Sequence, residues 1–158
     1  MDKRGSDRKD LQVKGFKIST DKEDIDINIL HQFLTHSYWA KDIPMAVLQK
    51  AIEHSSCFSV LTESNQQVGF ARLITDHATF GYLADVFVVD EHRGKGLSKW
   101  LIDSIVNHKD VIGLRRMMLA TSDAHKLYAQ FGFLPITNPE ILMQIWRPTI
   151  YQQENTGN

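Results

Sequence analysis

A chain of 158 residues, 42% hydrophobic and 23% charged, is large enough to bury one substantial core and too short for two. Eighteen Lys and Arg against nineteen Asp and Glu leave a formal charge of −1, which excludes the chain-wide positive field that holds a polyphosphate backbone, so nucleic acid is not an expected partner. Cys57 is the only cysteine, ruling out an internal disulfide and a Cys-rich zinc site, and no apolar stretch approaches the roughly 18 residues of a membrane span. The expected setting is cytoplasmic, with no membrane partner.

Seven of the first ten residues are charged, so 1–12 are expected as a mobile tail and 149–158 as a second tail, leaving 13–148 as one domain. Phe16 and Ile18 alternate with polar neighbours, which predicts a short strand, and Thr20-Asp21-Lys22-Glu23 has the spacing of a capping box that starts a helix. Ile27, Leu30 and Leu34 give that helix an apolar face ending near Ser37, after which Tyr38 and Trp39 fall in a loop. Pro44 suits the first turn of a second helix, with Leu48, Ala51 and Ile52 inward. The runs 58–61 and 68–75, parted by a polar turn, predict an antiparallel hairpin, and 80–89 a third strand beside it. Gly81 and Asp85 interrupt that third run with residue types depleted in strand interiors, so a bulge or splay is expected near Asp85. Gly94 to Gly96 open a helix whose inward stripe is Leu97, Leu101, Ile105 and Val106. A buried strand over 117–120, a short helix over 124–130 and a closing strand over 141–146 complete the order. The pattern predicts a mixed α+β fold, helices packed on a central sheet.

Chemistry concentrates where the 80–89 strand meets the next helix, over Arg93-Gly94-Lys95-Gly96-Leu97-Ser98. A glycine-containing turn at a helix start aims unpaired amides and the positive end of the helix dipole outward, which suits a phosphate or pyrophosphate. Gly94 and Gly96 admit close approach of a ligand, while Arg93 and Lys95 add positive charge; a solvated turn with two surface cations is the alternative. The Walker pattern is absent, and a dinucleotide fingerprint lacks its third glycine and its alternating parallel strands.

The turn resembles the acyl-CoA pyrophosphate loop of the GNAT superfamily of N-acyltransferases, with Arg93, Gly96 and Ser98 at the three defined positions and Ser98 standing where Gly or Ala is usual. Ala124, Tyr128, Gly132 and Phe133 match that superfamily's later helix and Gly-Phe turn, and Thr121 occupies a position where many members have Asn. The resemblance implies a GNAT-like, mostly antiparallel sheet flanked by about four helices and splayed at the fourth strand. It implies acetyl-CoA as cosubstrate and no metal. Val86, Phe87 and Val88 would pair with the pantetheine arm, and the loop from Arg93 through Gly94, Lys95, Gly96 and Leu97 to Ser98, with Thr121, would hold the cofactor.

Tyr128 is then the candidate acid for the departing thiolate, since a phenol with a pKa near 10 matches an alkyl thiol; packing as a core aromatic is its other reading. Asp85, a carboxylate at a strand break, is a candidate acid-base or substrate-orienting group, or equally a structural cap on nearby amides. Tyr38, Trp39, Arg72, Asp76, Tyr82 and Asp123 are expected around the acceptor, and aromatics with carboxylates suit a cationic or amphipathic amine. The reaction implied is N-acetylation of a small-molecule amine or an exposed amino group within a ternary complex. A non-catalytic acyl-CoA sensor is the alternative, and the resemblance is compatible with a homodimer.

Overall fold

Asp26 starts the first full helix: its carboxylate accepts from the amides of Asn28 and Ile29, both at 3.1 Å, and α1 runs over Ile27–Thr35. The residues expected to open that helix instead form a single 3₁₀ turn, Lys22–Asp24, capped by Asp21 and ended by an extended Ile25. The computed structural model describes residues 10–154, so most of the expected N-terminal tail lies outside the described residues. α2 spans Met45–Glu53 with Pro44 at its N-cap. Four strands, β1 (Phe16–Ser19), β2 (Ser56–Thr62), β3 (Gln67–Thr75) and β4 (Phe80–Val88), form an antiparallel meander. After α3 (Leu97–Val106), β5 (Arg116–Leu119) joins β4 in parallel, completing one sheet in the order β1-β2-β3-β4-β5. Two short helices come last, α4 (His125–Ala129) and α5 (Ile150–Glu154). The α+β class and the splayed, mostly antiparallel sheet hold, with five α-helices among the described residues.

Strand alternation divides the core into two clusters. Phe58, Val60, Ala71 and Leu73 point to α3, where they meet the fully buried Leu97, Leu101 and Ile105. Cys57, Phe70 and Phe87 point the other way, to Leu30 and Leu34 of α1 and Leu48 and Ile52 of α2. Burying one such Leu or Ile contributes about 1.5–3 kcal/mol, so both faces anchor the sheet strongly.

The break expected near Asp85 is present and has a measurable form. Phe70 pairs with Phe87 but Arg72 pairs with Ala84, so Asp85 and Val86 together oppose Ala71, and Asp85 takes φ 56°. Leu83 and Val88 lie an odd number of positions apart, yet both pack in the α3-side cluster, because the inserted residue shifts the alternation by one. Pairing between β4 and β5 ends at Leu83 with Leu119. From Ala84 onward β4 is bonded on its β3 side alone, and the sheet opens.

Two expectations at the C-terminal end are corrected. Residues 141–146 do not form a closing strand: Pro139–Ile141 makes a 3₁₀ turn, and residues 142–147 have no regular structure because no strand among the described residues offers them a ladder. Within the expected tail 149–158, α5 forms at Ile150–Glu154 and Tyr151 packs against the α1–α2 cluster, while 155–158 lie outside the described residues.

Candidate active site

The opening between β4 and β5 leads into a cavity of about 600 Å³, within the usual range for a small-molecule site. Tyr38 and Trp39 line it from the loop after α1, Arg72 from β3, and Tyr82, Asp85 and Val86 from β4. Thr121, Asp123 and Tyr128 close the other side, joined by Tyr151 of α5.

Asp85 is buried at the bulge, and both its carboxylate oxygens are engaged. Arg72 Nε donates to Oδ2 at 2.7 Å, and Trp39 Nε1 donates to Oδ1 at 3.0 Å. Arg72 Nη1 donates in turn to Ser55 Oγ at 3.2 Å, while Nη2 has no partner among the described residues. A left-handed, non-glycine backbone in a strand costs about 1–3 kcal/mol, and the ion pair offsets it by fixing the side chain that the bulge turns toward the cavity. Across the mouth, Tyr38 Oη and Ser122 Oγ share a hydrogen bond of 3.0 Å, tying the loop after α1 to the loop after β5.

Tyr128 is half-buried on α4 and edge-on to Phe133, with ring centroids 5.8 Å apart. Its hydroxyl has no hydrogen-bond partner among the described residues. Burial pushes its pKa up from the usual phenol value, and the nearby Tyr38 and Asp123 add to that. The group therefore stays a protonated donor at neutral pH. Thr121 is spent locally: its Oγ1 accepts from the Ala124 amide at 3.0 Å, before α4.

The glycine turn lies at the far end of the unpaired half of β4. Gly94 and Gly96 take φ of 80° and 85°, a region that disfavours any side chain, and a Cβ on Gly94 would meet nothing within 4 Å. No side chain caps α3, and the first helical bond is from the Trp100 amide to the Gly96 carbonyl at 3.1 Å. The amides of Leu97, Ser98 and Lys99 are thus without acceptors among the described residues. The two cations are less free than the sequence suggests. Arg93 donates through Nε to the Val88 carbonyl at 3.1 Å and through Nη1 to Asp90 at 2.9 Å. Lys95 Nζ sits 3.0 Å from His92 Nδ1 and 5.4 Å from the centre of the Phe16 ring. Leu97 is a core side chain, and Phe87 and Val88 are buried on opposite faces, so all three offer a ligand only backbone atoms.

Among the residues expected around the acceptor, Asp76 does not line the cavity. It closes the β3–β4 turn, accepting from Thr79 Oγ1 at 2.6 Å and from the amides of Thr79, Ala78 and Phe80 at 2.7, 3.0 and 3.2 Å. Those bonds, the Thr79 hydroxyl foremost, hold its carboxyl well below the usual range. The sequence reading missed Ser55, Ser122 and Tyr151. Tyr151 had one signal, an aromatic in an otherwise polar tail. Cys57 pairs with Arg72 across β2 and β3 but does not line the cavity, and burial pushes its thiol up to about 11, which makes it a poor nucleophile. Among the described residues no group of three or more His, Cys, Asp or Glu could hold a metal ion, and no helix is long and apolar enough to cross a membrane.

A sheet opened behind its fourth strand, with a glycine turn and a free helix start at the end of the opening, is the arrangement that the resemblance to the GNAT superfamily implies. The profile of the acetyltransferase (GNAT) domain matches residues 54–135. A curated protein from Gibberella zeae, carried as a "putative acetyltransferase", is 32% identical over 136 residues, covering 73% of this chain and 76% of its own. The crystal structure of a Xanthomonas campestris pv. campestris protein, described in the same words and assigned to the GNAT family, superposes with a TM-score of 0.85 at 50% identity, covering 89% of this chain and 99% of that one. A Clostridium acetobutylicum protein crystallised with acetyl-CoA shares the fold, with a TM-score of 0.57 at 16% identity over 82% of this chain and 94% of that one. The chain belongs to the GNAT acetyltransferase family.

Proposed function

We propose that this protein is an acetyl-CoA-dependent N-acetyltransferase that acetylates a primary amine, on a small molecule or an exposed amino group, by direct attack within a ternary complex. One observation carries the reading: the unpaired half of β4 runs from a cavity holding the unpartnered Tyr128 hydroxyl to the unspent amides at the start of α3. The amides of Leu97, Ser98 and Lys99, with the open approach at Gly94, form a cradle for a pyrophosphate. Arg93 and Lys95 contribute field around it. The open edge at Val86 offers backbone groups to a pantetheine amide.

In the cavity the neutral amine nitrogen attacks the thioester carbonyl carbon, the carbon–sulfur bond breaks, and Tyr128 gives its proton to the departing sulfur. The proton lost by the amine returns the phenolate to phenol through water. Asp85, with both oxygens engaged, serves as the orienting carboxylate: it fixes Arg72 and Trp39 in the acceptor wall. Tyr38, Tyr82 and Asp123 complete that wall, a set suited to an amine with an apolar body. The free Tyr128 hydroxyl favours an enzyme over a binding module. The test is calorimetric titration with acetyl-CoA, followed by thiol detection against a panel of amines. Binding with amine-dependent thiol release is expected; binding with no release from any amine leaves the sensor reading standing, and absence of binding removes both.

A further inference from the structure

Three charged residues border the cavity, and two of them keep hydrogen-bonding groups that the protein itself does not use. Arg72 is held at two of its nitrogens, Nε donating to Asp85 Oδ2 at 2.7 Å and Nη1 to Ser55 Oγ at 3.2 Å. Nη2 has no partner among the described residues, yet it is not sealed from solvent, so its N–H groups are open on the wall that Arg72 forms. Asp123 is the second. It stands on the facing wall, near Tyr128, and its carboxylate makes no hydrogen bond or ion pair with any described residue. Asp85, the third, has both oxygens engaged.

The two unused groups have opposite sign and sit on opposite sides of one cavity. An amine with no anion would satisfy Asp123 and leave Nη2 to water, whereas a molecule with an ammonium at one end and a carboxylate at the other satisfies both. Little further ordering is needed, because Asp85 and Ser55 already fix the guanidinium. A single negative charge is what this cation can match: it is shared with Asp85, and a phosphate dianion would exceed it. The rest of the wall, with Tyr38, Trp39 and Tyr82, presents aromatic surface to an apolar side chain.

We propose that the acceptor is an amino acid with an apolar side chain, its carboxylate accepting from Arg72 Nη2 and its amino group lying at Asp123. This rests on the acetyl-transfer reading and narrows it, making Arg72 a specificity-determining residue as well as the partner of Asp85. Asp123 receives the ammonium. One proton leaves to solvent, the neutral nitrogen bonds to the acetyl carbon, and the carbon–sulfur bond breaks with Tyr128 protonating the sulfur. The second proton of the former ammonium restores Tyr128 through water. The products are the N-acetylated amino acid and the free thiol of coenzyme A.

Thiol release from acetyl-CoA is measured with L-phenylalanine, L-leucine and L-methionine, each against its primary amide and against the amine that lacks the carboxylate. The same compounds are titrated calorimetrically onto the full chain with coenzyme A bound. For the amino acid, kcat/KM should exceed that of the matched amine by about 10–100-fold, the effect of one hydrogen bond between charged groups, with the uncharged amide nearer the amine. Arg72→Lys keeps a charge opposite Asp85 and removes Nη2, so it should bring that ratio to about one; a merely structural role would lower all three compounds together. Amines turned over as well as amino acids would overturn the proposal and leave acetyl transfer standing. Amino acids that bind in preference with no thiol release would support this acceptor site and remove the acetyl-transfer reading. No preference in either measurement overturns the proposal equally. Should Arg72→Lys fail to fold, the wild-type ratio alone decides.

Discussion

The two halves of β4 have similar residues and opposite situations. Phe80 to Leu83 is laddered on both sides, by β3 and by β5, whereas Ala84 to Val88 is laddered only by β3. Strand propensity does not account for the difference, because Val86-Phe87-Val88 are stronger strand formers than Gly81-Tyr82. The cause is a single inserted residue. Asp85 bends the strand at the point where β5 stops, and the pair it makes with Arg72 holds the bend. The sheet is therefore opened by local backbone geometry fixed by an ion pair, while its hydrophobic clusters stay complete on both faces.

The most damaging way to break the open half is at its far end. Gly96→Glu removes the left-handed start of α3 and sets a carboxylate where a pyrophosphate would lie, so acetyl-CoA affinity should fall by about 10³-fold, or about 4 kcal/mol, by calorimetry. An unchanged affinity in a folded variant would remove the helix start from the binding site. Arg72→Met breaks the hinge of the bend and leaves Asp85 buried without its cation, which costs about 3 kcal/mol when the pair is largely buried. Urea unfolding should register that loss; stability within about 0.5 kcal/mol of wild type would show that the pair does not hold the bulge.

How much of this was visible in the sequence depends on the same division. Gly81 and Asp85 announced the break in β4, because their residue types resist strand interiors, and the apolar runs 58–61 and 68–75 announced the hairpin but not which of their side chains face which helix layer. The glycine turn could be read because positive φ demands glycine locally. Partnerships between distant segments could not. Nothing near Trp39 or Ser55 shows that they meet Arg72 and Asp85, and Asp76 looks as available as Asp85 until its amide partners in the turn are seen. The arm at 141–146 misled for the same reason: its residues are those of a strand, but a strand needs a neighbour, and among the described residues it has none.

Inside the cavity, Tyr128→Phe should lower kcat by about 100-fold while acetyl-CoA affinity changes less than about twofold, because only the proton to sulfur is lost. Wild-type turnover in that variant would take Tyr128 out of the mechanism. The pH dependence has a definite sign. Burial raises the phenol above its usual value near 10, so the stability linked to Tyr128 is fully present below that unfolded value and is lost as pH rises through the higher folded value. Turnover should accordingly show no falling limb from Tyr128 below about pH 10. A phenolate absorbance appearing at pH 9 in wild type and missing in Tyr128→Phe would reverse the sign.

The smallest effect expected tests whether the bend also serves the acceptor. Trp39 is 43% exposed at the cavity wall, edge-on to Tyr38 at 5.0 Å and tilted against Phe33 at 6.4 Å, so a phenylalanine there keeps much of the packing and loses only the donor to Asp85 Oδ1. A hydrogen bond to a charged group contributes about 1.5–3 kcal/mol, and this part-buried one should lie at the low end because Arg72 still holds the other oxygen. The bulge should survive, with the melting temperature lowered by only about 5 °C. The acceptor wall loses the outer ring of the indole, so the expected change is a several-fold rise in KM for the amine with kcat almost constant. A variant that instead loses stability as Arg72→Met does would make Trp39 part of the hinge, and the division between what opens the sheet and what receives the amine would have to be redrawn with the indole on the structural side.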